Sequence, residues 1–238
     1  MTEVRDIWVY LSASPLLHLT LTLLAYQAGN VLYKKANLNP LLNPVLIAIV
    51  VLVIALYSTD TSYETYFEGA QFVHFLLGPA TVALAIPLYR QFHYLRRSAA
   101  AILIAIATGS LTAALSALAI GALLGGSDAT LIALATKSVT TPVAMGIAEQ
   151  LGGLPSLTAV MVILTGILGA MLGPLLLNLL RIKNWAARGL AMGTASHGIG
   201  TARALQVNET AGAFSGLAMG LNALATAILM PILWRLLF

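Results

Sequence analysis

The sequence predicts an all-α, polytopic integral membrane protein of about seven or eight membrane segments, several of them broken or re-entrant. Three observations carry this. Of the 238 residues, 59% are hydrophobic and 8% charged, against about a quarter charged in soluble domains, so the charges are too few to coat a soluble globule. Apolar runs recur along the whole chain, most near the 20 or so residues that span a bilayer. What charge there is gathers in short stretches between them. Little chain remains for an extramembrane domain, and residues 1–238 read as one transmembrane domain. The absence of cysteine excludes a disulfide scaffold, a Cys-ligated zinc and a thiol nucleophile. The net charge of +4 belongs to loops on one membrane face, and no nucleic-acid partner follows from it.

The first segment, Ile7 to Tyr26, lacks a cationic leader or a small-residue cleavage site and reads as a retained span. Lys34 and Lys35 then fall in a loop. The second segment, Leu41 to Tyr57, has Asn43-Pro44 near its start as an end-of-helix device. Asp60, Glu64 and Glu68 make the next loop acidic. The third segment, Ala70 to Tyr89, is interrupted by Gly78-Pro79 and Pro87, and a basic loop of Arg90, His93, Arg96 and Arg97 follows. The fourth, Ser98 to Leu124, is long and rich in small residues that permit close helix contacts. The fifth, Ala129 to Ala148, holds Lys137 and a hydroxyl run ending in Pro142. The sixth, Leu154 to Leu180, precedes a basic loop with Arg181, Lys183 and Arg188. The seventh, Arg188 to Leu205, carries Thr194, Ser196, His197, Gly198, Gly200 and Thr201. The eighth, Ala211 to Leu237, carries Asn222 in mid-helix.

Eight plain crossings would place the Arg181 loop opposite the Lys34 and Arg90 loops, against the rule that basic loops stay cytoplasmic. A re-entrant fifth segment removes the conflict, with the N-terminus periplasmic and the C-terminus cytoplasmic. A slide of about 60 residues sets Gly78-Pro79 beside Ser138-Val139, and one of about 57 sets Pro174 on Pro231, a weak internal repeat of broken helix then whole helix.

Breaks at Pro142 and at Gly198/Gly200 would free backbone N–H groups whose partial positive charge suits an anion. Alternatively, Pro and Gly merely kink the helices. A Lys at a helix centre costs roughly 2.5–3.5 kcal/mol to insert, so Lys137 either pairs with a substrate carboxylate or serves as a structural charge. Ser138, Thr140 and Thr141 either donate to the same anion or satisfy the carbonyls freed by Pro142. His197 either titrates for coupling or substrate binding, or bridges two helices. Arg203 suits an anion clamp or a pair with Glu209. Asn222 reads as structural glue. No metal or cofactor site, P-loop, dinucleotide fingerprint or hydrolase triad is present, and the chain reads as a non-enzyme.

Two stretches resemble signatures of the LrgB/CidB family: Ala135–Met145 (ATKSVTTPVAM) and Ala195–Ala204 (ASHGIGTARA). Gly152-Gly153 and the helix Gly166–Gly173 (GILGAMLG) stand in the corresponding places. Thr136 departs from the family's frequent Pro, and Gly146 from its common acidic residue, which puts a carboxylate role there in doubt. The resemblance implies a multi-pass bacterial inner-membrane protein, an LrgA/CidA-type small membrane partner and a homo- or hetero-oligomer. Two functions follow from it. One is an antiholin-like control of murein hydrolase export and cell lysis. The other is transport of small monocarboxylates such as glycolate, glycerate, pyruvate or lactate, as in the related half of the plant plastidal translocator. The residues themselves favour the carrier. The expected site joins Lys137, Ser138, Thr140, Thr141 and Pro142 to Ser196, His197, Gly198, Gly200, Thr201 and Arg203.

Overall fold

A computed structural model describes residues 14–76, 79, 82–83 and 85–237, and helix is the regular structure throughout them. The chain forms two compact units, Met1–Ala83 and Leu84–Phe238.

In the first unit, α1 (Pro15–Lys35) opens with Pro in its first turn, where no N–H partner is needed. It runs past the expected end at Tyr26, so Lys34 and Lys35 occupy its last turn and not a loop. Cations there complement the helix dipole and extend the helix. A short 3₁₀ turn, Pro40–Leu42, leads to α2 (Pro44–Ser58). The Asn43 side chain caps α2, accepting from the N–H groups of Val45 at 2.9 Å and Leu46 at 3.3 Å. Gly29 admits α2 closely: a Cβ there would lie 2.8 Å from the Pro44 carbonyl oxygen. Then α3 (Tyr63–Phe75) takes Glu64 and Glu68 from the expected acidic loop into a helix. Ala25, Ala48 and Leu52 form the buried core, flanked by Leu21 and Tyr66. His18 is buried edge-on to the Tyr66 ring, 5.9 Å between centroids. Of the interruption expected at Gly78-Pro79, Gly78 lies outside the described residues.

The second unit begins with short helices α4 (Ala85–Arg90) and α5 (Phe92–Arg97). Next come α6 (Ala99–Leu123), α7 (Asp128–Thr136), α8 (Thr141–Gln150) and α9 (Pro155–Leu179). Finally α10 (Trp185–Val207) and α11 (Glu209–Leu237) complete it. Among the described residues, three helices are long and apolar enough to cross a membrane: α6 and α9, of 25 residues each, and α11, of 29. Asn184 caps α10 by accepting from the Ala187 N–H at 3.0 Å.

The path between these long helices doubles back twice. Gly153, beyond α8, lies against Ile132 of α7: a Cβ there would be 2.7 Å from Ile132 Cγ2. An unbroken helix would separate those residues by about 30 Å. In α10 the backbone of His197 leaves the helical region (φ 42°, ψ −132°). A Cβ on Gly200 would consequently sit 2.8 Å from the Met192 carbonyl oxygen, across about 12 Å of an ideal helix. Residues 198–207 thus run back beside 185–196.

The two hairpins approach from opposite ends of α6. Its N-terminal Ile102 and Ile106 share a buried cluster with Ala186 of α10 and with Phe214 and Ala218 early in α11. Its C-terminal Ala114 and Leu118 pack with Leu131, Ala135 and Ile147 of the first hairpin and with Met230 late in α11.

Candidate functional site

Where the first hairpin turns, α7 stops at Thr136, whose hydroxyl donates back to the Ile132 carbonyl at 2.9 Å. Thr140 is extended (φ −64°, ψ 146°) and opens α8, with Pro142 in its first turn. In a first turn Pro needs no N–H partner and its fixed φ is already helical, which suits a helix start at this point. Ser138 and Val139 in the turn are buried, Thr140 and Thr141 are half-buried and Pro142 is exposed. The half-buried Lys137 directs its Nζ to the Ser138 hydroxyl at 3.2 Å. No carboxylate pairs with it among the described residues.

The second turn is centred on His197, with Ser196, Gly200 and Thr201 buried around it and Gly198 half-buried. An L-residue at φ 42° pays a conformational cost, of about 1–3 kcal/mol, that only surrounding contacts can hold in place. Those contacts are visible. The His197 Nε2–H donates to the Val162 carbonyl of α9 at 2.9 Å, which puts the ring proton on Nε2. The Thr201 hydroxyl donates to the His197 carbonyl at 2.8 Å and lies 2.9 Å from the Ser215 hydroxyl of α11. The imidazole fits because α9 has no side chain opposite it: a Cβ on Gly166 would stand 2.6 Å from His197 Cε1. Gly169 leaves the same room for Ser196, and Gly193 lets α10 close onto the Ser215 carbonyl.

The two turns meet. Asn222, in the middle of α11 and 1% exposed, donates through Nδ2 to the Ser138 carbonyl at 3.0 Å and to the Thr194 carbonyl at 3.1 Å. One amide therefore binds a backbone oxygen from each hairpin. Val162 does the same through α9, packing its side chain on Val139 and Ala144 of the first hairpin while its carbonyl holds His197 of the second. Sequence reasoning gave Asn222 a gluing role without its two partners, and it missed Val162. An isolated Asn in an apolar helix is a usable signal; a valine whose carbonyl does the work leaves none.

Arg203 is set apart from the other ten candidate residues. It lines a cavity of about 260 Å³ with Arg188, Asn178 and Trp185, which none of those ten touches. Glu209, its alternative partner, instead pairs with Arg90 at 2.9 Å.

Comparison with known proteins places the assembly in context. The model of the LrgB-like family matches residues 22–236. The chain is 40% identical to the Bacillus subtilis protein YxaC, over 89% of this chain and 92% of that one. It is 34% identical to the holin-like protein CidB of Staphylococcus epidermidis, over 94% of this chain and 96% of that one. It is 31% identical to the antiholin-like protein LrgB of Bacillus cereus, over 92% and 95% respectively. No solved structure matches. With its family motifs held at the two hairpin turns and its match running almost from end to end, the chain belongs to the LrgB-like family.

Proposed function

We propose that this protein is an antiholin-like modulator of murein hydrolase export and cell lysis in the bacterial inner membrane, acting in a homo- or hetero-oligomer beside a small LrgA/CidA-type membrane protein. The observation that carries this reading is the near-full-length kinship with relatives named holin-like and antiholin-like.

A second reading, favoured by the site itself, is a carrier for small monocarboxylates of the glycolate, glycerate, pyruvate or lactate type. Non-helical backbone at membrane depth is tolerated only where protein buries it or a cavity lines it. Here two such turns converge on one amide, beside a lysine with no carboxylate among the described residues. Lys137 would supply charge, Ser138, Thr140, Thr141 and Ser196 hydroxyl donors, and His197 orientation. A whole helix followed by a hairpin occurs twice, from opposite ends: α6 with α7–α8, and α9 with α10. This is the arrangement expected of inverted repeats in secondary transporters.

One experiment separates the readings. The chain is expressed with and without its small partner, scoring lysis and hydrolase release. In parallel, counterflow of labelled pyruvate, glycolate and glycerate is measured in proteoliposomes. Altered lysis without solute flux supports the modulator. Saturable exchange abolished by Lys137→Ala, with folding intact, establishes the carrier. A pull-down from native membranes that never recovers the small protein removes the partner.

The double hairpin supports a reading of the topology different from the expected one. With the Arg90 and Arg181 loops cytoplasmic, α10 returns to the side it entered, and α11 then ends in the periplasm. The cytoplasmic C-terminus expected from the sequence counted α10 as a crossing.

A further inference from the structure

The cavity beside the second hairpin has a composition unlike the rest of the unit. Its wall brings together two guanidinium groups, Arg188 from the outgoing arm of α10 and Arg203 from the returning arm, and no carboxylate lines it among the described residues. Arg188 is held in place from three sides. Its Nη1 donates to Asn178 Oδ1 and to the Ile182 carbonyl, both at 2.9 Å, and its guanidinium carbon lies 5.2 Å from the centre of the Trp185 ring. Both hydrogen bonds use Nη1, and among the described residues the Nε and Nη2 donors are left for a ligand. The rest of the wall is mainly apolar, with Leu177, Met192 and Val207 among its residues.

Two guanidinium groups lining one cavity, one of them held in place, suit an oxyanion, since guanidinium donors match phosphate and carboxylate oxygens. The apolar remainder calls for hydrocarbon attached to it. The surroundings favour a lipid as the source. The half-exposed Trp185 has the amphipathic character of a residue at the headgroup level. On α9, Leu175, Leu176 and Leu179 are exposed nearby in sequence, and the linking loop adds Arg181 and Lys183 on the side where basic residues face anionic headgroups.

We propose that this cavity binds the phosphate of an anionic phospholipid from the cytoplasmic leaflet, between Arg188 and Arg203, with acyl chain laid along the apolar end of α9. Because the two cations belong to opposite arms of α10, the bound lipid pins the hairpin closed. This inference stands independently of whether the protein moves solute.

The test uses the full chain in nanodiscs of phosphatidylcholine alone or doped with phosphatidylglycerol, with native mass spectrometry counting retained lipid and thermal unfolding reporting stability. Phosphatidylglycerol is expected to be retained and to raise the unfolding temperature. Arg188→Gln and Arg203→Gln are each expected to weaken retention about fivefold, with Arg188→Lys intermediate. Retention in Arg188→Gln equal to the native chain overturns the site. So does an equal loss in Arg181→Gln, a loop position outside the cavity wall, which would mean general surface attraction. Stabilisation by inorganic phosphate alone, with none from phosphatidylglycerol, replaces the lipid with a soluble anion and overturns the proposed source. Should Arg188→Gln fail to fold, Trp185→Ala removes the ring beneath the guanidinium and must lower retention for the proposal to stand.

Discussion

His197 combines a left-handed backbone with a buried side-chain bond, and these oppose one another on substitution. His197→Ala loses the bond to Val162 and keeps the strain, whereas His197→Gly loses the bond and relieves the strain. The glycine variant is therefore expected to be more stable than the alanine variant by about 1 kcal/mol, the reverse of the usual order within a helix. Thermal unfolding in detergent of the two variants side by side checks this, and an alanine variant that is the more stable contradicts the turn at His197. Glycine to alanine should also split by position. At Gly193 the new methyl meets the Ser215 backbone carbonyl, with an expected loss of about 1–3 kcal/mol. At Gly146 nothing lies within reach of the methyl, and removing a helical glycine should gain about 0.5–1 kcal/mol. The same unfolding measurement must show opposite signs.

The helices themselves were legible because apolar runs of this length leave few alternatives in a chain with so little charge. One start followed from capping chemistry, Asn43-Pro44 at α2, whereas the Asn184 cap of α10 was overlooked and that segment was started late, at Arg188. The turn after Thr136 was signalled by Pro142. The full reversal of α10 was not, because it rests on one histidine forced into a conformation its type disfavours. That force comes from Val162, Gly166 and Ser215, which are distant in sequence. Local pattern likewise put Lys34 and Lys35 in a loop, though an unbroken helix could carry both to its last turn. The reversal has a direct consequence for labelling. Since the chain has no native cysteine, single cysteines at Lys183 and Asn208, the two ends of α10, can be probed with an impermeant thiol reagent. Both are expected to react from the cytoplasmic side only. Labelling from opposite sides would make α10 a crossing.

On the scale of the whole molecule, the proposed topology carries an expectation for where the chain ends. A reporter fused after Phe238 is expected to be active in the periplasm, and cytoplasmic activity would restore the topology drawn from charge alone. The partition into Met1–Ala83 and Leu84–Phe238 was invisible in a composition that stays apolar throughout. The two breaks were expected to share a site, but the Asn222 link between them was hidden, since no sequence interval connects Ser138, Thr194 and Asn222. Their union makes the protein an interlock. The Asn222 amide has two hydrogens and commits one to each opposing turn. Withdrawing either turn strands a carbonyl in an apolar interior, at about 1–3 kcal/mol. Withdrawing both strands two carbonyls and the amide besides. Opening one side alone is thus always cheaper than opening both, so the two turns leave Asn222 one at a time.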